Sequence, residues 1–500
     1  MNMETAFSSL LLLATDPHLV VLILLAVPVG MFFGVVPGLG GKLGIVLCIP
    51  FVFDMDTTSG AVFLLSMHAV VHTGGSIPSI LFGIPGTGPD AATIMDGYPL
   101  AKRGEAGRAL GASLSASAFG GVIGALMLII MLPIMEPIIL AFSPAEFFLL
   151  AILGITFIAA LSGDSLQKGL IIGCLGLMLS FVGLSPQTGE PRYTFGMLFL
   201  WDGVDLISAV LAIFAIPEMI DLGVKGGAIS NNINISSRYH LREVITGMLE
   251  VFRYRWLALR TSIIGVILGA IPGIGGDAAS WICYGHAVQS SKTPEQFGKG
   301  AIAGVIAPET ANNSKEAGSL LPTLFFGVPG SSGMALLLGA FIMLGIEPGP
   351  QMIINNQSLL WTLIWALILS NIIAVLMFLI IAPQLSLVAT IRGALLIPLV
   401  MVLAILGSYL SSGDWRNWLF MLILGIFGYG FKIYNWPRSP LVVGLVLGII
   451  AENSLNQSLA IWGPAFLLRP ASLILILLIL TSIAFYCWRT YQRRGAINAD

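Results

Sequence analysis

Nine apolar stretches run almost without interruption through the chain, at about 110–132, 145–161, 167–184, 204–220, 358–381, 395–411, 417–433, 440–451 and 471–487. Most approach the roughly 20 residues that a helix needs to cross a bilayer. Lipid offers no partner to a backbone N–H or C=O, so such stretches must form spans that satisfy their own hydrogen bonds. Composition agrees: 57% of the 500 residues are hydrophobic, 10% are charged, and mean hydropathy is +0.95. Soluble domains carry about 25% charged residues, so the chain is expected to be an all-α polytopic membrane protein with the lipid bilayer as its solvent. A formal net charge of −2 gives no basic excess, and nucleic acid is not an expected partner. Cys48, Cys174, Cys283 and Cys487 stand singly, without zinc or disulfide spacing, and read as small packing residues. Met1 to Pro17 holds no Lys or Arg, so the basic segment of a secretory signal is missing and the first helix is expected to be retained.

Two regions, about 19–100 and 256–350, break this pattern. Their apolar runs are cut by VVPGLGG at 35–41, GGSIPSILFGIPGTGP at 74–89, AIPGIGG at 270–276 and GSLLPTLFFGVPGSSG at 318–333. Gly and Pro here free backbone groups at membrane depth, which is tolerated only against protein or a water-filled cavity. The breaks also match one another. Gly34 pairs with Gly269 at an offset of 235; Pro78, Gly83, Pro85 and Gly86 pair with Pro322, Gly327, Pro329 and Gly330 at 244; SGD at 162 recurs at 412, an offset of 250. A kept order with small drift marks a duplicated half. The reading is a first repeat at 1–221, a linker at 222–256, a second repeat at 257–488 and a tail at 489–500.

Loop charge orients the copies. AKRGEAGR follows the second break of the first copy with Lys102, Arg103 and Arg108, whereas EPGPQMIINNQ in the second copy carries no cation. Because cytoplasmic loops are enriched in Lys and Arg, the matching loops are expected on opposite sides. Threading then places Glu136 and Glu190 outside, and Lys168, Arg392, Lys432, Arg438 and the C-terminal Arg489, Arg493 and Arg494 inside, as is the linker. Arg192, Arg416 and Arg469 fall outside as single exceptions. Inverted-topology repeats with paired broken helices and re-entrant hairpins point to a secondary transporter whose site lies near the midplane. A helix that begins inside the membrane offers unpaired N–H groups and a positive dipole end to an anion, while unwound carbonyls suit a cation. The competing reading of each single break is a kink that serves packing.

The strings GVVPGLGGK, GGSIPSILFGIPGTGPDAATIMDGYPLAKRGEAGRALG, AIPGIGGDAASWICYGHAVQSSKTPEQFGKGAIAGVIAPETANNSKEAGSLLPTLFFGVPGSSGMALLLGAF and EPGPQM resemble the large membrane subunit of the tripartite tricarboxylate transporter family. They cover much of 30–110 and 265–352, in matching order. The resemblance implies a bacterial inner-membrane uptake system driven by an ion gradient. It also implies a periplasmic solute-binding protein that delivers an organic carboxylate, and a small membrane subunit that completes the transporter. Gly83 departs from the family's pattern, in which many members carry Asn, and SSG at 331–333 falls where members vary. Both departures leave the particular substrate open.

On this reading the carboxylate is cradled by Pro37, Gly38, Gly40, Gly41 and Lys42 at the first break and by Pro272, Gly273, Gly275 and Gly276 at the second. Ser76, Gly86 and Thr87 of one hairpin and Gly330, Ser331 and Ser332 of the other add hydroxyl and amide donors, as do Asn312 and Asn313. Local capping or interhelical hydrogen bonding is the alternative for the polar side chains, and Lys42 has the alternative of snorkelling to the surface. Gly38, Gly86, Gly273, Asp277 and Gly330 form a candidate site for a coupling sodium ion, with a proton as the other coupling ion; no other cofactor is expected. Glu309, Lys315 and Glu316 are candidates for an internal ion network, Asp90 or Asp96 for a proton carrier, and 96–108 for a cytoplasmic loop.

Other functions fit less well. GSSG at 330–333 matches a GxSG serine of an intramembrane protease, with His68, His72 and His286 as available bases, but the matching hairpin reads GTGP and lacks that serine. A Walker loop ending at Lys42 would need Gly where Val36 stands. A standalone carboxylate carrier and a passive anion channel remain as alternatives, the latter wanting a continuous polar pore. Homo-oligomerisation is a further open expectation.

Overall fold

The computed structural model describes residues 3–36, 39–161, 165–225, 240–272, 275–388 and 393–497. It is an array of helices with one short antiparallel pair, Gly183–Leu184 with Pro191–Arg192. The first set is α1 (Met3–Thr15), α2 (Pro17–Val35), α3 (Gly40–Val52), α4 (Thr57–Ala69), α5 (Val71–Phe82), α6 (Ala91–Lys102), α7 (Ala106–Leu140), α8 (Pro144–Leu161), α9 (Leu166–Ser180), α10 (Leu206–Val210) and α11 (Ile216–Lys225). The second is α12 (Leu241–Arg253), α13 (Arg255–Ala270), α14 (Gly275–Ser290), α15 (Ala303–Phe326), α16 (Ser332–Met343), α17 (Pro350–Ile354), α18 (Gln357–Val388), α19 (Gly393–Ser412), α20 (Arg416–Ile433), α21 (Ser439–Trp462) and α22 (Pro470–Ile497). A π-helical turn, Leu211–Ala215, joins α10 to α11. Among the described residues, five helices or helix pairs are long and apolar enough to cross a membrane, with shorter apolar helices beside them.

Local chemistry sets the element ends. Asp16 caps α2 by accepting from the His18 N–H, with Pro17 supplying a preset φ at the first helical position. Asp56 does the same for α4 through the N–H groups of Thr58 and Ser59. The helices α5 and α15 both stop at a glycine in the left-handed region, Gly83 at φ +68° and Gly327 at φ +64°. Each of these glycines sends its N–H back to a proline carbonyl, Pro78 and Pro322 respectively.

The centre is built by close backbone approach. On α2, Gly30 and Gly34 face the Met67 and Val71 carbonyls, and methyl groups built there would lie 2.1 and 1.9 Å from those oxygens. On α13, Gly265 and Gly269 meet the Ala311 and Lys315 carbonyls at 2.8 and 2.2 Å. Each pair is a small-xxx-small motif, which lets two helix backbones touch in lipid. The four partners, 67 with 311 and 71 with 315, stand at the same offset of 244 as the hairpin glycines. Around this centre α18 packs on α1, α2 and α4, while α7 packs on α12, α13 and α15. The first helix of each set thus rests on the long helix of the other. The helices α8, α9, α21 and α22 form one outer group, and α3, α11, α19 and α20 with the π-helical turn form another.

Two expectations change. The stretch 96–108 is mostly helical: Asp96 lies buried on α6, where it accepts from the Gly300 and Ala301 N–H groups at 2.7 Å and from the Tyr284 hydroxyl at 2.9 Å. Helix-breaking punctuation by Gly97, Pro99 and Gly104 misled the reading, because this tertiary contact holds the segment in place. Cys48 and Cys283 are buried as packing residues should be, whereas Cys174 is exposed on α9.

Candidate functional site

The helices α4 and α5 run together as one broken helix, and α15 is their counterpart; the two meet face to face. His72 of α5 and Glu316 of α15, 244 residues apart, touch across this contact with Nε2 3.1 Å from Oε1. The same offset that relates the glycines therefore joins a histidine to a carboxylate at the centre of the molecule.

From this contact a buried polar network spreads to both hairpins. Lys315 Nζ donates to Glu316 Oε1 at 2.6 Å and lies 3.4 Å from His72 Nε2. His68 Nε2 lies 3.3 Å from Glu316 Oε2. On its other side His72 places Nδ1 2.8 Å from the Thr87 hydroxyl, which donates to Asp90 Oδ2 at 2.6 Å. Asp90 Oδ2 also accepts from the Thr87 N–H, and Oδ1 accepts from the Asn312 amide at 2.9 Å. One turn earlier on α15, Glu309 accepts hydroxyls from Thr93 at 2.5 Å, Ser76 at 2.7 Å and Ser117 at 2.8 Å. Asn313 donates to Thr73 at 3.0 Å and to Asn371 of α18 at 2.7 Å. Buried polar groups of this kind are stabilised by the hydrogen bonds they make to one another.

His68 occupies a special position. Methyl groups built at Gly41, in the first turn of α3, and at Gly333, in the first turn of α16, would lie 3.2 Å from its Nδ1 and 2.7 Å from its Cε1. The imidazole therefore stands between the N-terminal turns of two helices that start within the protein. It is 3% exposed, and its Nδ1 has no hydrogen-bond partner among the described residues. Asn312 Oδ1 and Asn313 Oδ1 are likewise buried and unpartnered there.

The sequence candidates fall into three groups. Gly41, Ser76, Gly86, Thr87, Asn312 and Asn313 lie in or against the network, whereas Gly330 and Ser331 form the tip between α15 and α16. Gly86 and Gly330 are crowded by the protein itself: a methyl at Gly86 would stand 2.3 Å from the Gly34 carbonyl, and one at Gly330 2.7 Å from the Gly269 carbonyl. Ser76 gives its hydroxyl to Glu309, and the Ser331 hydroxyl caps α16 by accepting from the Met334 N–H. Gly40 and Ser332 begin the first turns of α3 and α16, Gly40 with φ +63° and open space around it. Lys42 lies apart, half-buried, with its ammonium 5.9 Å from the Phe214 ring centre. Pro37, Gly38 and Gly273 lie outside the described residues; Pro272 ends the described part of its break, and Gly275, Gly276 and Asp277 form the first turn of α14. The proposed ion network is divided: Lys315 pairs with Glu316, while Glu309 sits with hydroxyls.

Sequence reasoning missed Thr73, Thr93, Ser117 and Asn371, and weighed His68 and His72 only as bases for a serine. The signal for His72 was present: the offset of 244 carries it onto Glu316.

Comparison with known proteins places this architecture. The model of the tripartite tricarboxylate transporter TctA family matches residues 20–443. The "uncharacterized 52.8 kDa protein in TAR-I ttuC' 3'region" of Agrobacterium vitis is 32% identical over 457 residues, 90% of this chain and 88% of that protein. The "uncharacterized protein in TAR-II ttuC' 3'region" of the same organism is 34% identical over 197 residues, 39% of this chain and 81% of that one. No solved structure matches. With the family model covering most of its length, the chain belongs to the tripartite tricarboxylate transporter TctA family.

Proposed function

We propose that this chain is the large membrane subunit of a secondary active uptake system for an organic carboxylate, a tricarboxylate such as citrate or a related dicarboxylate. A periplasmic solute-binding protein delivers the substrate, a small membrane subunit completes the complex, and an inward sodium or proton gradient drives accumulation. The chain lies in the bacterial inner membrane with its C-terminus in the cytoplasm, its halves 1–221 and 257–488 inverted and joined by the cytoplasmic linker 222–256.

The observation that carries the reading is His68, wedged between the N-terminal turns of α3 and α16 with Nδ1 unpartnered. Two helix starts that converge on one buried imidazole concentrate unpaired N–H groups and positive dipole ends, the environment that holds a carboxylate out of water. The first turns of α3 (Gly40, Gly41) and α16 (Ser332, Gly333) supply backbone donors on this side, and Thr87 and Ser331 stand at the two hairpin tips. The first turn of α14 (Gly275, Gly276) is the matching donor set of the other half.

The test is uptake of radiolabelled citrate by proteoliposomes that hold the chain with its small membrane subunit, with and without the binding protein and an ion gradient. Accumulation that needs both supports the reading. Accumulation without the binding protein favours a standalone carrier, and flux that only runs downhill favours a channel. Competition by unlabelled di- and tricarboxylates then ranks the substrates.

A further inference from the structure

The core is short of positive charge. Lys315 and Glu316 neutralise one another at 2.6 Å, but Asp90 and Glu309 are fully buried and receive only hydroxyl and amide donors from the residues around them. An ionised carboxylate without an opposite charge at membrane depth is costly. The groups that face His72 are His68 from α4, Lys315 and Glu316 from α15, and, through Thr87, Asp90 from the turn before α6; Glu309 sits with Ser76, Thr93 and Ser117, and Lys42 of α3 is turned to Phe214. Of these, His68 and His72 are able to add positive charge reversibly.

A hydrogen-bonded chain runs from Glu316 through His72 and Thr87 to Asp90. The Thr87 hydroxyl has one proton, given to Asp90, so its oxygen accepts from His72 Nδ1–H. The remaining nitrogen, Nε2, faces Glu316. Asn312 holds Asp90 in place through Oδ1 and leaves its own Oδ1 unpartnered beside it.

We propose that Glu316, His72, Thr87 and Asp90 form a proton relay between the two hairpins, and that it carries the coupling proton of carboxylate uptake. This assignment rests on the transport reading above. A proton that arrives on Glu316 moves to His72 Nε2, leaving a carboxylate and an imidazolium. The imidazolium passes its Nδ1 proton to the Thr87 oxygen as the Thr87 hydroxyl proton moves to Asp90 Oδ2. The products are a neutral histidine with Nε2–H toward Glu316, an intact threonine hydroxyl and a neutral Asp90, so one positive charge has crossed from α15 to the first hairpin and no other co-reactant is required. Protonated Asp90 then donates to Thr87 and reverses the direction of the chain.

The experiment uses proteoliposomes with the complete complex and radiolabelled citrate, and compares wild type with Asp90→Asn and His72→Gln. Two readouts are needed: accumulation driven by an inward proton gradient at equal sodium on both sides, and exchange of external label for internal citrate, which moves no net proton. The relay predicts that both variants lose proton-driven accumulation by at least about tenfold more than they lose exchange. Sodium-driven accumulation that ignores the proton gradient in wild type and survives in both variants would overturn the relay and leave the transport reading intact. Absence of both uptake and exchange in wild type, for labelled citrate and labelled dicarboxylates alike, would remove the transport reading, and the relay with it.

Discussion

Replacing Gly34 or Gly269 by alanine tests the way the two breaks are held. The added methyl would meet the Val71 carbonyl at 1.9 Å or the Lys315 carbonyl at 2.2 Å, whereas real Cβ contacts stay beyond 3.0 Å. The helix backbones must therefore separate by about 1.1 Å at Gly34 and about 0.8 Å at Gly269. Overpacking of this kind costs roughly 1–3 kcal/mol, and alanine returns about 0.5–1 kcal/mol of helix propensity. A net loss of about 1–2 kcal/mol is expected at each site, a factor of roughly 5–30 in the folded-to-unfolded ratio. Gly285 in α14 and Gly430 in α20 are controls, because nothing lies within 4 Å of a methyl at either. Their alanine variants should be neutral or slightly more stable. Equilibrium unfolding in mixed lipid–detergent micelles measures all four. If Gly34→Ala and Gly269→Ala unfold at the wild-type midpoint, the close helix contact that the argument rests on does not exist.

Two further outcomes are expected. Hydrogen bonding from Ser59, followed by the backbone N–H of Thr58, holds the Asp56 carboxyl below its ordinary value; its stabilisation is thus present above the unfolded value near 3.9 and is lost as pH falls through the lower folded value. Asp56→Ala should cost about 1 kcal/mol at pH 7, and the difference from wild type should vanish in acid unfolding curves. For topology, a single cysteine at Glu105, between α6 and α7, should react with an impermeant maleimide only after permeabilisation, and one at Glu347, after α16, should react from outside; labelling of both from one side would contradict the inverted halves.

Much of the architecture was legible because its signals are local. Apolar runs at 110–132, 417–433 and 471–487 fall inside α7, α20 and α22. Left-handed glycines leave a mark in the sequence, which is why Gly83 and Gly327 announced both hairpins. Side-chain partnership was less legible, since it depends on which helix faces turn toward each other. Asn313 finds Asn371 only after α15 and α18 have both packed on α7, and Glu309 finds Ser76, Thr93 and Ser117 on three other helices. Asp96 looked like part of a loop because the backbone groups it binds lie 204 and 205 residues away. The glycine pairs 30/34 and 265/269 were readable as helix contacts, yet only the second of each drew notice, as the edge of a break.

The central claim is that one carboxylate site lies between the hairpin tips. Single cysteines at Thr87 and Ser331, in a background without the four native cysteines, test it in the complete complex by their rate of reaction with a small thiosulfonate reagent. The account predicts that citrate slows labelling at both positions, while a cysteine at the exposed Ser8 of α1 labels at an unchanged rate. Equal labelling at Thr87 and Ser331 with and without citrate, in vesicles that exchange labelled citrate, would contradict it.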